Sequence, residues 1–158
     1  MLPIAEIGFM AESYATKPEP YRHHWKPGGP YDSIYTGWAN PPSEYKKWSE
    51  LIYKWVQHCV KKYGEDKVKT WYWEVWNEPN ISYWKGAMEE YFKLYDYTVD
   101  AVKRALHAAK VGGPTSTGPR WNKAADFLKS FLQHCVDGKN YATGETGTPL
   151  DYITFHAK

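Results

Sequence analysis

Glu78 stands where a strand-forming run breaks off. Residues 71–80 read Trp-Tyr-Trp-Glu-Val-Trp-Asn-Glu-Pro-Asn. The aromatic and β-branched run up to Trp76 favours a pleated, buried strand. Pro79 removes a backbone donor and stops the ladder. Glu78 is thereby placed at the C-terminal lip of a strand, the end that carries catalytic groups in a (β/α) barrel. A carboxyl group among indoles is poorly solvated and is expected to hold its proton more tightly than usual. A general acid working near neutral pH needs that property. Strict alternation would send neighbours Asn77 and Glu78 to opposite faces. Both reach one pocket only if the strand is already breaking there.

Other groups carry weaker signals. Glu74 lies four residues before Glu78, on the same face and deeper; a buried carboxylate needs a partner, so a supporting role is expected for it. Trp73 and Trp76 read as packing. Gly28-Gly29-Pro30 and Gly112-Gly113-Pro114 lack the dinucleotide and phosphate-loop signatures and read as turns. His23-His24 invites a metal reading, but no third ligand has helpful spacing, so no metal or cofactor is expected. Cys59 and Cys135 each fall in the apolar stripe of a predicted helix and read as reduced core thiols.

The elements that must position these groups alternate. Ile4 to Phe9 reads as a strand, followed by a long loop from Met10 to Pro42. Ser43 is a plausible N-cap for a helix from Glu44 to Tyr63, where Trp48, Ile52, Trp55, Val56 and Cys59 recur at helical spacing and Gly64 supplies the stop. A strand from Val68 to Trp76 follows, then a helix over Ala87 to Ala109. A short strand from Lys110 to Gly113, a helix from Asn122 to Val136 and a strand from Asp151 to His156 complete the order β-α-β-α-β-α-β. Such alternation predicts βαβ units and a parallel sheet.

The 158 residues suffice for one domain with a core, but a closed (β/α)8 barrel takes about 250. The net charge of +2 implies neither nucleic acid nor an anionic membrane surface as partner. No segment is long or apolar enough to span a membrane. Met1-Leu2-Pro3 leads straight into a strand, which reads as an internal start within a longer protein; the compartment and oligomeric state stay open. Aromatic residues make up 18% of the chain, including 9 Trp and 14 Tyr. That load suits a core and also suits stacking on the flat faces of sugars.

The Asn-Glu-Pro strand ending resembles that of clan A glycoside hydrolases, and its context resembles glycoside hydrolase family 39. Five ordered pieces carry the likeness: Glu6-Ile7-Gly8-Phe9-Met10, residues 40–48, residues 73–80 with Tyr83-Trp84 and Glu90-Tyr91 following, Val111-Gly112-Gly113-Pro114, and Phe155-His156-Ala157-Lys158. The resemblance implies an α/β fold that is a fragment of a (β/α)8 TIM barrel, about strands three to six with three intervening helices. Residues 1–158 would then be a partial glycoside hydrolase catalytic domain, incomplete at both ends. It implies hydrolysis of O-glycosidic bonds by a retaining β-xylosidase acting on xylo-oligosaccharides, with Glu78 as general acid/base. Asn77 would contact the sugar 2-hydroxyl and His156 would touch the sugar. Glu6 and Phe9 would help form the floor of the subsite, and His23, His24, Trp25, Tyr31, Tyr35 and Trp38 a pocket wall. The family's nucleophile, a Glu ending strand seven, has no counterpart here, so the isolated chain is expected not to turn over substrate. The rival readings are an α-L-iduronidase or other clan A glycosidase, with Arg120 or Lys158 clamping a uronate, and a non-catalytic sugar-binding relic.

Overall fold

The computed structural model describes residues 2–17, 22–23, 34–35 and 37–157. Strand β1 covers Ile4–Ile7 and is followed by a 3-10 turn at Glu12–Tyr14. Two short strands, β2 (Arg22–His23) and β3 (Ile34–Tyr35), pair antiparallel, and a second 3-10 turn spans Gly37–Ala39. Helix α1 runs over Tyr45–Tyr63 and α2 over Glu65–Val68. Strand β4 covers Tyr72–Val75, α3 Met88–Ala105, β5 Lys110–Ser116, α4 Asn122–Asp137 and β6 Tyr152–Phe155. The main sheet has the order β1-β4-β5-β6, and every neighbouring pair is parallel.

The alternation of elements is as the sequence predicts, and the boundaries move for physical reasons. Strand β1 stops at Ile7 rather than Phe9. Val68 ends the short helix α2, which Gly64 initiates with a positive φ of 87°; β4 therefore starts later than Val68. Ser43 does not cap α1. Its hydroxyl donates instead to the Tyr14 carbonyl at 3.1 Å, and Glu44 takes the cap position. Helix α3 ends at Ala105, four residues early, where Leu106 turns extended. Strand β5 runs on past Gly113 to Ser116. The long loop holds the β2–β3 ribbon and two 3-10 turns, none of which periodicity announces.

One face of the sheet is apolar and carries the helices. Ile7, Trp73, Val75 and Val111 are fully buried there. Trp48, Ile52 and Val56 of α1 pack against them with Tyr91, Leu94, Tyr95 and Val99 of α3 and Phe131 of α4. Each such side chain contributes about 1.5–3 kcal/mol by leaving water. The Trp48 indole donates to Thr98 Oγ1 at 2.8 Å, which satisfies the polar atom where α1 meets α3. The other face follows from the pleat. Glu6, Glu74, Gly112 and Tyr152 form one row across the sheet. A Cβ on Gly112 would collide with the Tyr152 ring and carbonyl, so only glycine fits in that row.

The N-terminal ends of β5 and β6 are clipped together. Asp151 Oδ2 accepts from Lys103 Nζ and from the Val111 N–H, both at 2.8 Å, while the Asp151 N–H donates to the Val111 carbonyl. Burial acts to raise the Asp151 carboxyl, but the Lys103 ammonium and the Val111 amide outweigh it and hold it below the usual range. At the far edge Ile153 and Phe155 of β6 remain half exposed, and Val136 of α4 is open to solvent.

Candidate functional site

The lip of the sheet is built by a backbone that leaves strand geometry one residue after β4. Trp76 has φ 70° and Glu78 φ 47°, both left-handed and both without glycine. Such a conformation costs an L-residue about 1–2 kcal/mol and is found where surroundings over-determine it. The surroundings are visible. The Trp76 N–H donates to the Ile7 carbonyl at 3.0 Å and its indole to the Tyr83 carbonyl at 3.0 Å. The Tyr91 hydroxyl, from α3, donates to the Val75 carbonyl at 3.0 Å. The Glu78 N–H donates across to the Thr115 carbonyl at 2.9 Å, and Thr115 is itself left-handed at φ 51°. The break that lets neighbouring residues escape strict alternation therefore begins at Trp76, ahead of Pro79.

Glu78 is buried at 6% exposure, and its Oε1 lies 2.6 Å from His156 Nδ1. A carboxyl and an imidazole at that separation share a hydrogen bond through one proton. His156 follows β6 and is anchored by its own N–H, which donates to the Ser116 carbonyl at 2.8 Å. The two sequence-predicted residues, from opposite halves of the chain, are thus brought together. Asn77, the residue before Glu78, is half-buried.

Glu6 stands on the same sheet face, in register with Glu74. Partial burial and the Glu74 carboxylate raise the Glu6 carboxyl, and the field of His156 works the other way. Glu74, within β4, is also buried, at 8% exposure. The Tyr152 hydroxyl, on the same face, is buried without a hydrogen-bond partner among the described residues. Trp73 points to the helices and packs edge-on against Trp55 at 5.6 Å. Trp76 is fully buried against Trp84 at 5.1 Å.

Phe9 joins an aromatic cluster. Its ring lies 4.2 Å from Trp38, 5.4 Å from Trp76 and 6.0 Å from Tyr83. Trp38 is the one predicted wall residue whose side chain is described; His24, Trp25 and Tyr31, and the side chains of His23 and Tyr35, lie outside the described residues. So does Lys158, while the Arg120 guanidinium sits over the Trp121 ring at 4.9 Å. Among the described residues no group of three or more His, Cys, Asp or Glu side chains is placed to hold a metal ion. Cys59 and Cys135 are free and buried, and burial pushes the Cys135 thiol up to about 12. Sequence reasoning missed Thr115, Thr117 and Tyr83. Tyr83 lies inside a quoted motif and was within reach; the two threonines carry no local signal.

The chain spans 27% of the length of the curated β-xylosidases it matches and less of the α-L-iduronidases. A family model described as Glycosyl hydrolases family 39 matches residues 1–158. A β-xylosidase from Caldicellulosiruptor saccharolyticus is 35% identical over 158 residues, covering 99% of this chain and 27% of the relative. Human α-L-iduronidase is 33% identical over 121 residues, covering 71% of this chain and 18% of that protein. Among solved structures, a GH39 β-xylosidase from Caulobacter crescentus superposes with a TM-score of 0.69 at 30% identity, covering 97% of this chain and 29% of that one. The fold is α/β, a fragment of the TIM barrel of these enzymes.

Proposed function

We propose, because this chain belongs to family 39 of the glycosyl hydrolases, that it carries the acid/base half of a retaining β-xylosidase. Residues 1–158 are then part of a catalytic domain that releases xylose from xylo-oligosaccharides. The observation that carries the reading is the buried Glu78 carboxyl held 2.6 Å from His156 at the lip of a parallel sheet. Glu78 protonates the departing glycosidic oxygen and later takes a proton from the incoming water. Asn77 offers donor and acceptor to a sugar hydroxyl, where hydrogen bonds strengthen in the transition state. On this reading His156 touches the sugar, and Glu6 and Phe9 help form the floor of the subsite.

A retaining mechanism also needs a nucleophilic carboxylate about 5 Å from the acid. By family resemblance that group ends the seventh barrel strand. Glu6 and Glu74 are on the right face, but each sits within its strand rather than at the lip. The two-carboxylate chemistry asks for no cofactor. The β-xylosidase relatives match nearly the whole chain, whereas human α-L-iduronidase matches 71% of it. A uronate substrate would further need a cation at the lip; the Arg120 guanidinium sits over the Trp121 ring, and Lys158 lies outside the described residues.

The test is hydrolysis of aryl β-xylosides and aryl iduronides by the polypeptide as its gene encodes it, with Glu78→Gln beside the native protein. The xyloside is expected to be preferred, and Glu78→Gln to lower kcat about 100- to 10,000-fold. The 158 residues purified alone are expected to give no turnover. Preference for the iduronide, or a Gln variant as fast as native, would sink the proposal; so would turnover by the 158 residues alone, for the claim that half the machinery lies elsewhere.

A further inference from the structure

The turn that presents Glu78 is held by a side chain to which no chemistry has yet been given. Asn80 follows Glu78 by two residues and reaches across to Thr117. Its Nδ2 donates to Thr117 Oγ1 at 2.6 Å, and its Oδ1 accepts the Thr117 N–H at 2.9 Å. The two bonds join the segment after β4 to the segment after β5 in a closed ring. Thr117 continues directly from the stretch that meets the rest of the site. The Thr115 carbonyl receives the Glu78 N–H, and the Ser116 carbonyl receives the His156 N–H. The Thr115 and Thr154 hydroxyls are 3.0 Å apart.

Glu78 needs such support. Its backbone is left-handed with φ 47°, a conformation that relaxes unless neighbours oppose it. The Glu78 N–H bond to the Thr115 carbonyl fixes the start of the turn, and the Ile81 N–H, donating to the Glu78 carbonyl at 3.2 Å, closes it. The Asn80 ring, inside that turn, ties it to the segment after β5. A primary amide suits this task, because its NH2 donates to the hydroxyl while its oxygen accepts from the N–H.

We infer that Asn80, with Thr117 as its partner, is a positioning residue: the Asn80–Thr117 ring holds the left-handed Glu78 so that its carboxyl meets the His156 imidazole. Its kinetic consequence rests on the acid/base reading of Glu78 above; its structural consequence does not. Asn80 acts through Glu78 and makes no contact with the reacting sugar.

The test compares Asn80→Ala, Thr117→Val and Thr117→Ser with the native protein, each in the polypeptide as encoded. Crystal structures read the Glu78–His156 separation, and steady-state kinetics on an aryl β-xyloside read kcat and KM separately. In Asn80→Ala the contact is expected to open, with kcat lowered about 100-fold and KM within about twofold of native. Thr117→Val loses one bond of the ring and is expected to fall about tenfold; Thr117→Ser keeps both partners and restores native behaviour. Should Asn80→Ala fail to fold, the Thr117→Val and Thr117→Ser pair carries the comparison. An unchanged Glu78–His156 contact in Asn80→Ala or Thr117→Val overturns the inference, as does a raised KM with native kcat, which would make Asn80 a substrate contact. If Glu78→Gln alone proves harmless, the acid/base reading fails, and the crystallographic separation still decides the positioning role.

Discussion

His156 Nδ1 and Glu78 Oε1 lie 2.6 Å apart across 78 positions of sequence. The pair joins the ends of β4 and β6, which are not neighbours in the sheet, over the intervening end of β5. Glu78 is buried and His156 half exposed, at 7% and 39% of their side-chain surfaces. The imidazole is therefore the solvent-facing member of the pair.

Removing that imidazole is expected to slow catalysis without unfolding the protein. His156→Ala should lower kcat/KM on aryl β-xylosides at least about tenfold, because a loosened carboxyl spends less time in line with the leaving oxygen. His58→Ala, on the exposed side of α1, is the control and should match native. Equal rates in the two variants would deny His156 any part in the reaction.

The Glu6–Glu74 register pair predicts a pH dependence of stability. The folded Glu6 carboxyl binds its proton more tightly than the unfolded one, through burial and the Glu74 charge. Stability linked to Glu6 is then fully present below its ordinary range and falls as pH rises through its raised value. Glu6→Gln should accordingly be more stable than native at neutral pH, with the difference vanishing in acid. Urea midpoints of the two proteins measured from about pH 3 to 8 across that window would show it. A difference that grows toward low pH would contradict the assignment.

Asp96 predicts the largest loss of stability. It is fully buried on α3 and accepts from His134 Nε2 at 3.0 Å, the Thr148 hydroxyl at 2.5 Å and the Tyr141 N–H at 2.8 Å. His134 is held flat between Phe92 at 4.8 Å and Tyr141 at 5.9 Å. The network ties the loop before β6 to α3. Asp96→Ala leaves several buried donors unpaired and is expected to cost about 3–5 kcal/mol, with Asp96→Asn costing less. Urea unfolding measures both; a loss below about 1 kcal/mol for the Ala variant would show that water replaces the carboxylate.

The order of strands and helices was legible because each helix buries one stripe and each strand a run of β-formers. Trp48, Ile52 and Val56 recur at helical spacing on α1, and Gly64 closes it. The position of Glu78 at a strand end was legible from Pro79. What escaped were relations fixed by distant chain. Nothing in the residue types at Trp76, Glu78 or Thr115 announces a left-handed backbone, since that conformation is imposed by bonds to Ile7, Tyr83 and Thr115. Ser43 looked like a cap because serine caps are common, but the Tyr14 carbonyl, 29 residues away, took its hydroxyl. The Asn80–Thr117 ring and the Asp96–His134 pair are invisible for the same reason: each partner is ordinary until folding sets the other beside it.

Asp151 clips the strands at their starts, while Glu78 and His156 meet beyond their ends. Descent can therefore rewrite the two rims of the sheet on separate schedules. A substitution at the lip leaves the clip intact. A change at the clip falls on the stability of the sheet and leaves the groups at the lip as they are.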